Sequence, residues 1–129
     1  MLPPAHRMRR RDDFTLAVRR GRRAGRPHLV VHLLERAGPD QAGDPPIGGD
    51  PLVGFIVART VGNAVVRNQV RRRLRHLLRE HVDRLPPGSL LVVRANPKAA
   101  TVHHDELAAD LGSALDRLLR QGSKGRNKT

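Results

Sequence analysis

Two near-continuous apolar runs, LVGFIVA at residues 52–58 and SLLVVRA at residues 89–95, most strongly constrain how this chain can fold. Such runs are typical of central strands that are covered on both faces. Between them, residues 64–80 carry apolar side chains at helical spacing, and the following RLPPG segment ends the helix. This order predicts two parallel strands joined by a crossover helix, which makes the helix part of the fold.

The rest of the chain predicts two further helices and at least one more strand. Residues 12–20 place apolar side chains on one helical face, and Gly21 ends this helix. A basic turn that could include a short strand follows, and then residues 28–35 favour a strand because they are rich in β-branched and apolar types. Residues 101–120 repeat leucine at helical spacing, with Thr101 as the expected cap. The order helix, strands, helix, strand, helix belongs to the mixed α+β class.

The chain has 129 residues, which is enough for one compact domain with a single core. We expect this domain to span residues 8–120, after a flexible N-terminus at residues 1–7. Residues 37–51 are dominated by Gly, Pro and Asp, which predicts a flexible connecting loop. The polar and basic residues 121–129 predict a disordered tail.

The charge balance points to a polyanionic partner. The chain has 25 Lys and Arg residues against 12 Asp and Glu residues, a formal net charge of +13, and nearly all of its cations are arginine. Arginine grips phosphate through a planar fork and stacks on bases, so this bias favours nucleic acid. With two Phe and no Tyr or Trp, a recognition sheet built on several stacking aromatics is poorly supported.

Several classes of site and location are disfavoured by composition. The absence of cysteine excludes disulfides, thiol catalysis and Cys-based zinc sites. No apolar run approaches the roughly 20 residues that span a bilayer, and the charged N-terminus is not followed by the apolar stretch of a signal peptide. We therefore expect a cytoplasmic protein with no membrane partner.

The helix at residues 64–80 divides into an apolar face and a cationic face when residues are placed about 100° apart. The apolar face consists of Val66, Val70, Leu74, Leu77 and Leu78. The adjoining cationic face consists of Arg67, Asn68, Arg71, Arg72, Arg75 and Arg79, whereas Arg73 falls on the opposite flank. Like charges four residues apart repel, and no acidic residue occurs in the helix before Glu80. A bound polyanion would relieve this repulsion and release counterions.

The segment ARTVGNAVVRNQVRRRLRHLLRE, around the Gly-Asn-Ala-Val-x-Arg-Asn core at residues 62–68, resembles the signature segment of the bacterial ribonuclease P protein family. The resemblance extends through RRRDDFTLAVRRGRRAGRPHLVVHLL, LVGFIVA and GSLLVVRANPKAA. It covers roughly residues 8–120, with the segments in the family's order.

The resemblance implies a small two-layer α/β sandwich with a mainly antiparallel sheet and a left-handed β-α-β crossover, whereas general chirality rules favour the right-handed form. It implies a protein that assists a catalytic RNA subunit in a 1:1 complex. That RNA hydrolyses a phosphodiester bond of precursor tRNA and releases the 5′ leader. Magnesium in the RNA active site supports the reaction, and the protein supplies no catalytic acid, base or nucleophile.

The resemblance also implies roles for individual residues. Those expected to contact the RNA subunit are Asn63, Arg67, Asn68, Arg71, Arg72 and Arg75. Those expected in a leader-binding cleft between the first helix and the sheet are Phe14, Val18 and Arg59. Val18 stands where the family commonly has an aromatic residue, which favours apolar contact over base stacking. Ala58 and Thr60 replace a serine and a lysine, which removes one positive charge.

Other interpretations are weaker. A structural RNA-binding protein of the ribosome would share the charge, size and mixed fold. A membrane-surface protein needs a helix with a free apolar face, and here that face is committed to the core. His103, His104 and Asp105 do not predict a metal site, since adjacent helical residues point about 100° apart. His28 and His32 are expected on a sheet face and not as a catalytic pair.

Overall fold

The computed structural model describes residues 11–35, 51–85 and 88–127, without the side chains of residues 121–127. The helices are α1 (Arg11–Arg20), α2 (Ala64–Leu78) and α3 (His104–Asn127). The strands are β1 (Arg22–Gly25), β2 (Leu29–Leu34), β3 (Leu52–Ile56) and β4 (Leu90–Ala95). The predicted flexible segments at residues 1–7 and 37–50 lie outside the described residues. No helix within the described ranges has the length and apolar character needed to cross a membrane.

The four strands form one sheet in the order β1-β2-β4-β3. β1 pairs antiparallel with β2, and β2 pairs antiparallel with β4. β3 pairs parallel with β4, and α2 lies between these two strands in the chain. The predicted mixed α+β class, the mainly antiparallel sheet and the parallel β3-α2-β4 unit are confirmed, while the left hand of the crossover stays a prediction.

The larger core lies between one face of the sheet and helices α2 and α3. Val31, Leu91 and Val93 of the sheet are buried there together with the apolar side chains of both helices. The helical contributors are Val70, Leu74, Leu78, Leu107, Leu111, Leu115 and Leu118. This part of the molecule is the predicted two-layer sandwich.

A smaller core lies on the other face of the sheet, where α1 packs. Ala17 of α1 is buried against Leu90 and Val92 of β4, and Phe14 and Val18 pack at its border. Because α1 covers this second face, the molecule has helices on both sides of the sheet, which adds a partial third layer to the predicted sandwich.

The last helix differs from its prediction at both ends. Pro97–Ala100 form a separate 3-10 turn, and the Thr101 hydroxyl donates to the carbonyl oxygen of Lys98 at 3.4 Å. The prediction that Thr101 caps α3 is therefore wrong. The cap position belongs to His103, whose Nδ1 accepts from the backbone N–H of Asp105 at 3.2 Å. Helical backbone continues to Asn127, beyond the predicted end at residue 120, while the disorder of residues 121–129 stays a prediction.

Gly21 marks a place where the backbone of α1 comes very close to β2. Its N–H donates to the carbonyl oxygen of Ala17 at 2.9 Å and ends the helix. A Cβ atom at this position would lie 2.4 Å from the Ala17 oxygen and 2.9 Å from the Leu33 oxygen. Only glycine fits here, because both contacts are with backbone atoms that cannot rotate away.

We predict that Gly21→Ala lowers the free energy of unfolding by about 2 kcal/mol or more, through this overlap with the backbone. Gly112→Ala is a matched control because a Cβ there meets nothing within 4 Å. It lies inside α3 and should raise stability by about 0.5–1 kcal/mol. Urea unfolding followed by circular dichroism measures both, and equal effects of the two substitutions would contradict the close approach.

Candidate nucleic-acid interface

The entrance to α2 is built by Gly62 and Asn63. A Cβ atom on Gly62 would lie 2.8 Å from Cγ1 of Val66, so glycine allows the turn to pack against the helix. Asn63 is the N-cap, and its Oδ1 accepts from the backbone N–H of Val66 at 2.9 Å. Asn63 is also exposed. Its carboxamide oxygen is therefore committed to the helix, and a contact with a partner would use the amide nitrogen.

The apolar face of α2 is buried as the helical spacing predicted. Val70, Leu74 and Leu78 are fully enclosed, and Val66 and Leu77 pack against the same core. This burial turns the opposite side of α2 toward solvent.

The cationic face of α2 consists of the arginines and the asparagine that the sequence placed there. Asn68, Arg72 and Arg79 are exposed, whereas Arg67, Arg71 and Arg75 are half-buried at its border. Arg71 Nη1 donates to Asn68 Oδ1 at 3.4 Å, which links the amide to the arginine row. Within residues 11–35, 51–85 and 88–120, none of these arginines forms an ion pair with a carboxylate. The face therefore presents cations without local compensation.

Arg67 lies where the cationic face meets the core, and part of its side chain is buried. Its Nε atom is buried and has no hydrogen-bond partner among the described residues. Burying an N–H group without a partner costs free energy, and the described part of the chain does not supply a partner for this one.

Arg73 lies apart from the cationic face, as its position on the helix predicted. Its Nη1 and Nη2 donate to the carbonyl oxygens of Ala99 and Val102 at 3.4 and 3.3 Å. These contacts tie α2 to the segment between β4 and α3. Arg73 is therefore a structural residue among arginines that otherwise face solvent.

The predicted leader-binding residues divide between two places. Phe14 and Val18 are brought together on α1, half-buried against the sheet. Arg59 lies instead in the 3-10 turn Arg59–Val61, which connects β3 to α2, and is exposed. In the sequence, Arg59 follows the end of β3 and precedes the N-cap of α2. It is therefore separated from Phe14 and Val18 of α1 and adjoins the start of the cationic helix.

The sheet face beside α1 carries a strip that sequence reasoning missed, which we call the Arg23–Arg94 strip. Arg23 pairs in register with His32, and His32 pairs with Val92. Arg94 pairs with Val30 on one side and with Ile56 on the other. Directly paired residues share a face, so these side chains lie on the side of the sheet that α1 only partly covers. Both arginines are exposed, which makes this an apolar surface bordered by cations.

His32 lies in the middle of this strip and is only 3% exposed. Both of its ring nitrogens are buried without a hydrogen-bond partner in the described part of the chain. Burial lowers the pKa of His32, and the positive charges of Arg23 and Arg94 lower it further. The prediction that His32 lies on a sheet face is confirmed. An arginine inside the apolar run of β4 was the visible signal for the strip, but the sequence does not show which strands are neighbours.

Two other histidines, His28 and His103, have partners within the fold. His28 precedes β2, and its Nδ1 and backbone N–H both contact Asp110 Oδ2, at 2.7 and 3.1 Å, which fastens β2 to α3. At the start of α3, Nδ1 of His103 lies 3.7 Å from Oδ2 of Asp105. Among the residues that the structure describes, no group of three or more His, Asp or Glu side chains could hold a metal ion.

Comparison with known proteins gives consistent matches. The family model described as Ribonuclease P matches residues 2–119. A ribonuclease P protein component from Streptomyces avermitilis is 57% identical over 125 residues, covering 96% of this chain and all of that protein. One from Thermobifida fusca is 54% identical over 131 residues, covering all of this chain and 86% of that protein.

Solved structures show the same fold at lower sequence identity. The RNase P protein of Staphylococcus aureus matches with a TM-score of 0.70 and 20% identity, covering 86% of this chain and 93% of that one. The RNase P protein of Thermotoga maritima matches with a TM-score of 0.66 and 24% identity, covering 88% of this chain and 96% of that one.

We predict that Arg73→Ala destabilises the protein, whereas Arg72→Ala removes a surface charge with little effect on stability. Arg73→Ala should lower the free energy of unfolding by about 1 kcal/mol, because it removes two hydrogen bonds to backbone carbonyls. Arg72→Ala should leave it nearly unchanged, because the exposed Arg72 has no acidic partner in the described ranges. Both are measured by urea unfolding, and a larger loss for Arg72→Ala would contradict the assigned facing.

We predict a pH dependence of stability that arises in part from His32. Its pKa is lowered in the folded state, so the unfolded chain binds more protons as the pH falls. The contribution is fully present above the ordinary histidine pKa of about 6.5 and is lost as the pH falls below that value toward the lowered pKa of the folded state. His81, whose pKa is also lowered, mainly by burial, acts in the same direction.

Urea unfolding at several pH values tests this prediction. His32→Leu should flatten the decrease in stability on acidification, and adding His81→Ala should flatten it further. A His32→Leu protein with the same pH dependence as the original chain would refute the role of His32.

Proposed function

Because the chain belongs to the ribonuclease P protein family, which acts in tRNA processing, we propose that it binds two RNAs through two surfaces. The cationic face of α2 binds the catalytic RNA subunit, and the cleft between α1 and the sheet binds the 5′ leader of precursor tRNA. The observation that carries the proposal is the row of arginines on α2 without acidic partners among the described residues.

Binding of the RNA subunit follows from the electrostatics of α2. Arginines that repel one another at a spacing of four residues gain from a phosphate backbone laid across them, and the released counterions add to affinity. Asn68 lies within the same face; its Oδ1 accepts from Arg71, and its amide nitrogen can donate to a base edge or a 2′-hydroxyl. The face thus offers phosphate contacts together with one group that can distinguish RNA chemistry.

Binding of the leader follows from the shape of the other surface. Phe14 and Val18 border an apolar floor formed by β3 and β4, and the Arg23–Arg94 strip continues this floor with two exposed cations. A single strand can place its bases on apolar side chains and its phosphates near arginines. A duplex would present only its outer phosphates and would not use the floor.

The holoenzyme of this family is an endonuclease, and we place its chemistry in the RNA subunit. In this proposal magnesium would be held by the RNA, where it can activate water for phosphodiester hydrolysis. The protein side chains position the two RNAs and neutralise phosphate charge.

The proposed assembly is one protein with one RNA subunit. The family match offers no support for the alternative of a structural protein of the ribosome. The expected cytoplasmic location stays a prediction.

The decisive experiment is cleavage of precursor tRNA by the RNA subunit at low magnesium, with and without the full-length protein. We predict that the protein increases the rate of leader removal, because it offsets phosphate repulsion that magnesium otherwise screens. Arg67→Ala or Asn68→Ala should impair cleavage while leaving the melting temperature nearly unchanged. Arg120→Ala, on the exposed side of α3, is the control and should cleave like the original protein. No stimulation by the original protein would refute the proposed function.

A further inference from the structure

Among the large hydrophobic side chains that the structure describes, only Val65, in the first turn of α2, is exposed. It is 65% exposed, whereas every other large apolar side chain in those ranges is buried or half-buried. Its neighbour Val66 already packs on the core and closes the turn at Gly62. Val65 is therefore not required for the packing of α2.

Val65 belongs to the cationic face. Residues three and seven positions apart lie on the same side of a helix, so Val65 is aligned with Asn68 and Arg72, which are both exposed. No acidic residue occurs in α2. The valine is thus an apolar side chain at one end of a row of arginines that have no carboxylate partner among the described residues.

This setting decides what kind of partner can cover Val65. A second copy of this surface would bring arginines against arginines, which is unfavourable. A lipid surface needs a continuous apolar face, and the apolar face of α2 is buried in the core. An RNA strand fits both features, because phosphates match the arginines while a ribose or an unstacked base offers an apolar face.

We propose that Val65 is a non-ionic contact with the RNA subunit, packing against a ribose or base face next to the phosphates held by Arg72. The proposal rests on the proposed function of α2. Arginine contacts release counterions and weaken as salt rises, whereas an apolar contact is insensitive to counterion release. Val65 therefore adds affinity that persists at high salt and fixes where along the RNA the arginine row is placed.

The experiment measures binding of the full-length protein to the RNA subunit over a series of KCl concentrations. Val65→Ala should weaken binding about fivefold at every concentration, because buried apolar surface is lost. The slope of log K against log [KCl] should be unchanged. Arg72→Ala, the ionic control on the same side of the helix, should reduce the magnitude of that slope by about one.

Two further variants test the chemistry of the contact. Val65→Thr keeps the volume and adds a hydroxyl, so it should weaken binding as Val65→Ala does. Val65→Ile keeps the apolar character and should bind at least as tightly as the original protein. Thermal unfolding should be nearly the same for all three, because the side chain is exposed.

The outcomes separate the two levels of the proposal. If the original protein shows no salt-dependent binding to the RNA, the proposed function itself fails. If it binds and Val65→Ala binds equally well, or if Val65→Ala changes the salt slope as Arg72→Ala does, only the role of Val65 is refuted. Dissociation of a protein dimer by Val65→Ala in sedimentation would assign the valine to a protein interface instead and would overturn the inference.

Discussion

Val70, Leu74 and Leu78 of α2 are buried against the sheet and α3, and this contact orients the whole surface of the helix. Because the helix cannot rotate without exposing these side chains, the arginines of the cationic face are held toward solvent or at the border of the core. Burying each such side chain contributes about 1.5–3 kcal/mol, whereas each pair of like charges four residues apart costs a few tenths of a kcal/mol. Packing therefore outweighs the repulsion and keeps the arginines of the cationic face side by side.

The same contact explains why arginines next to one another in the chain have different environments. Arg72 is exposed, while Arg73 reaches the carbonyl oxygens of Ala99 and Val102. A step of about 100° around the helix moves a side chain from solvent to the joint between α2 and the 3-10 turn after β4. One arginine stabilises the fold, and the other remains available for a partner.

The two sides of the sheet are used differently. On the side of α2 and α3, the sheet is covered and forms the main core. On the side of α1, a single short helix leaves Arg23 and Arg94 exposed and His32 buried between them. On this side burial lowers the pKa of His32, and the positive charges of the two arginines lower it further.

Much of this protein was determined by its sequence alone. The apolar runs of β3 and β4, the spacing of Val70, Leu74 and Leu78, and the position of Arg73 off the cationic face all follow from local periodicity. The motif around Asn63 and Asn68 identified the family. These features could be predicted because they depend on residues close together in the chain.

Other features were decided only by tertiary structure. The strip formed by Arg23, His32 and Arg94 depends on the pairing of β1, β2 and β4, which are far apart in sequence. Strand neighbours are selected by long-range packing, so no local pattern reveals them. The start of α3 could likewise not be predicted from local periodicity, because Thr101 belongs to a separate 3-10 turn that precedes the helix. Local periodicity therefore determined which surfaces exist, and the packing of distant segments decided which side chains meet on them.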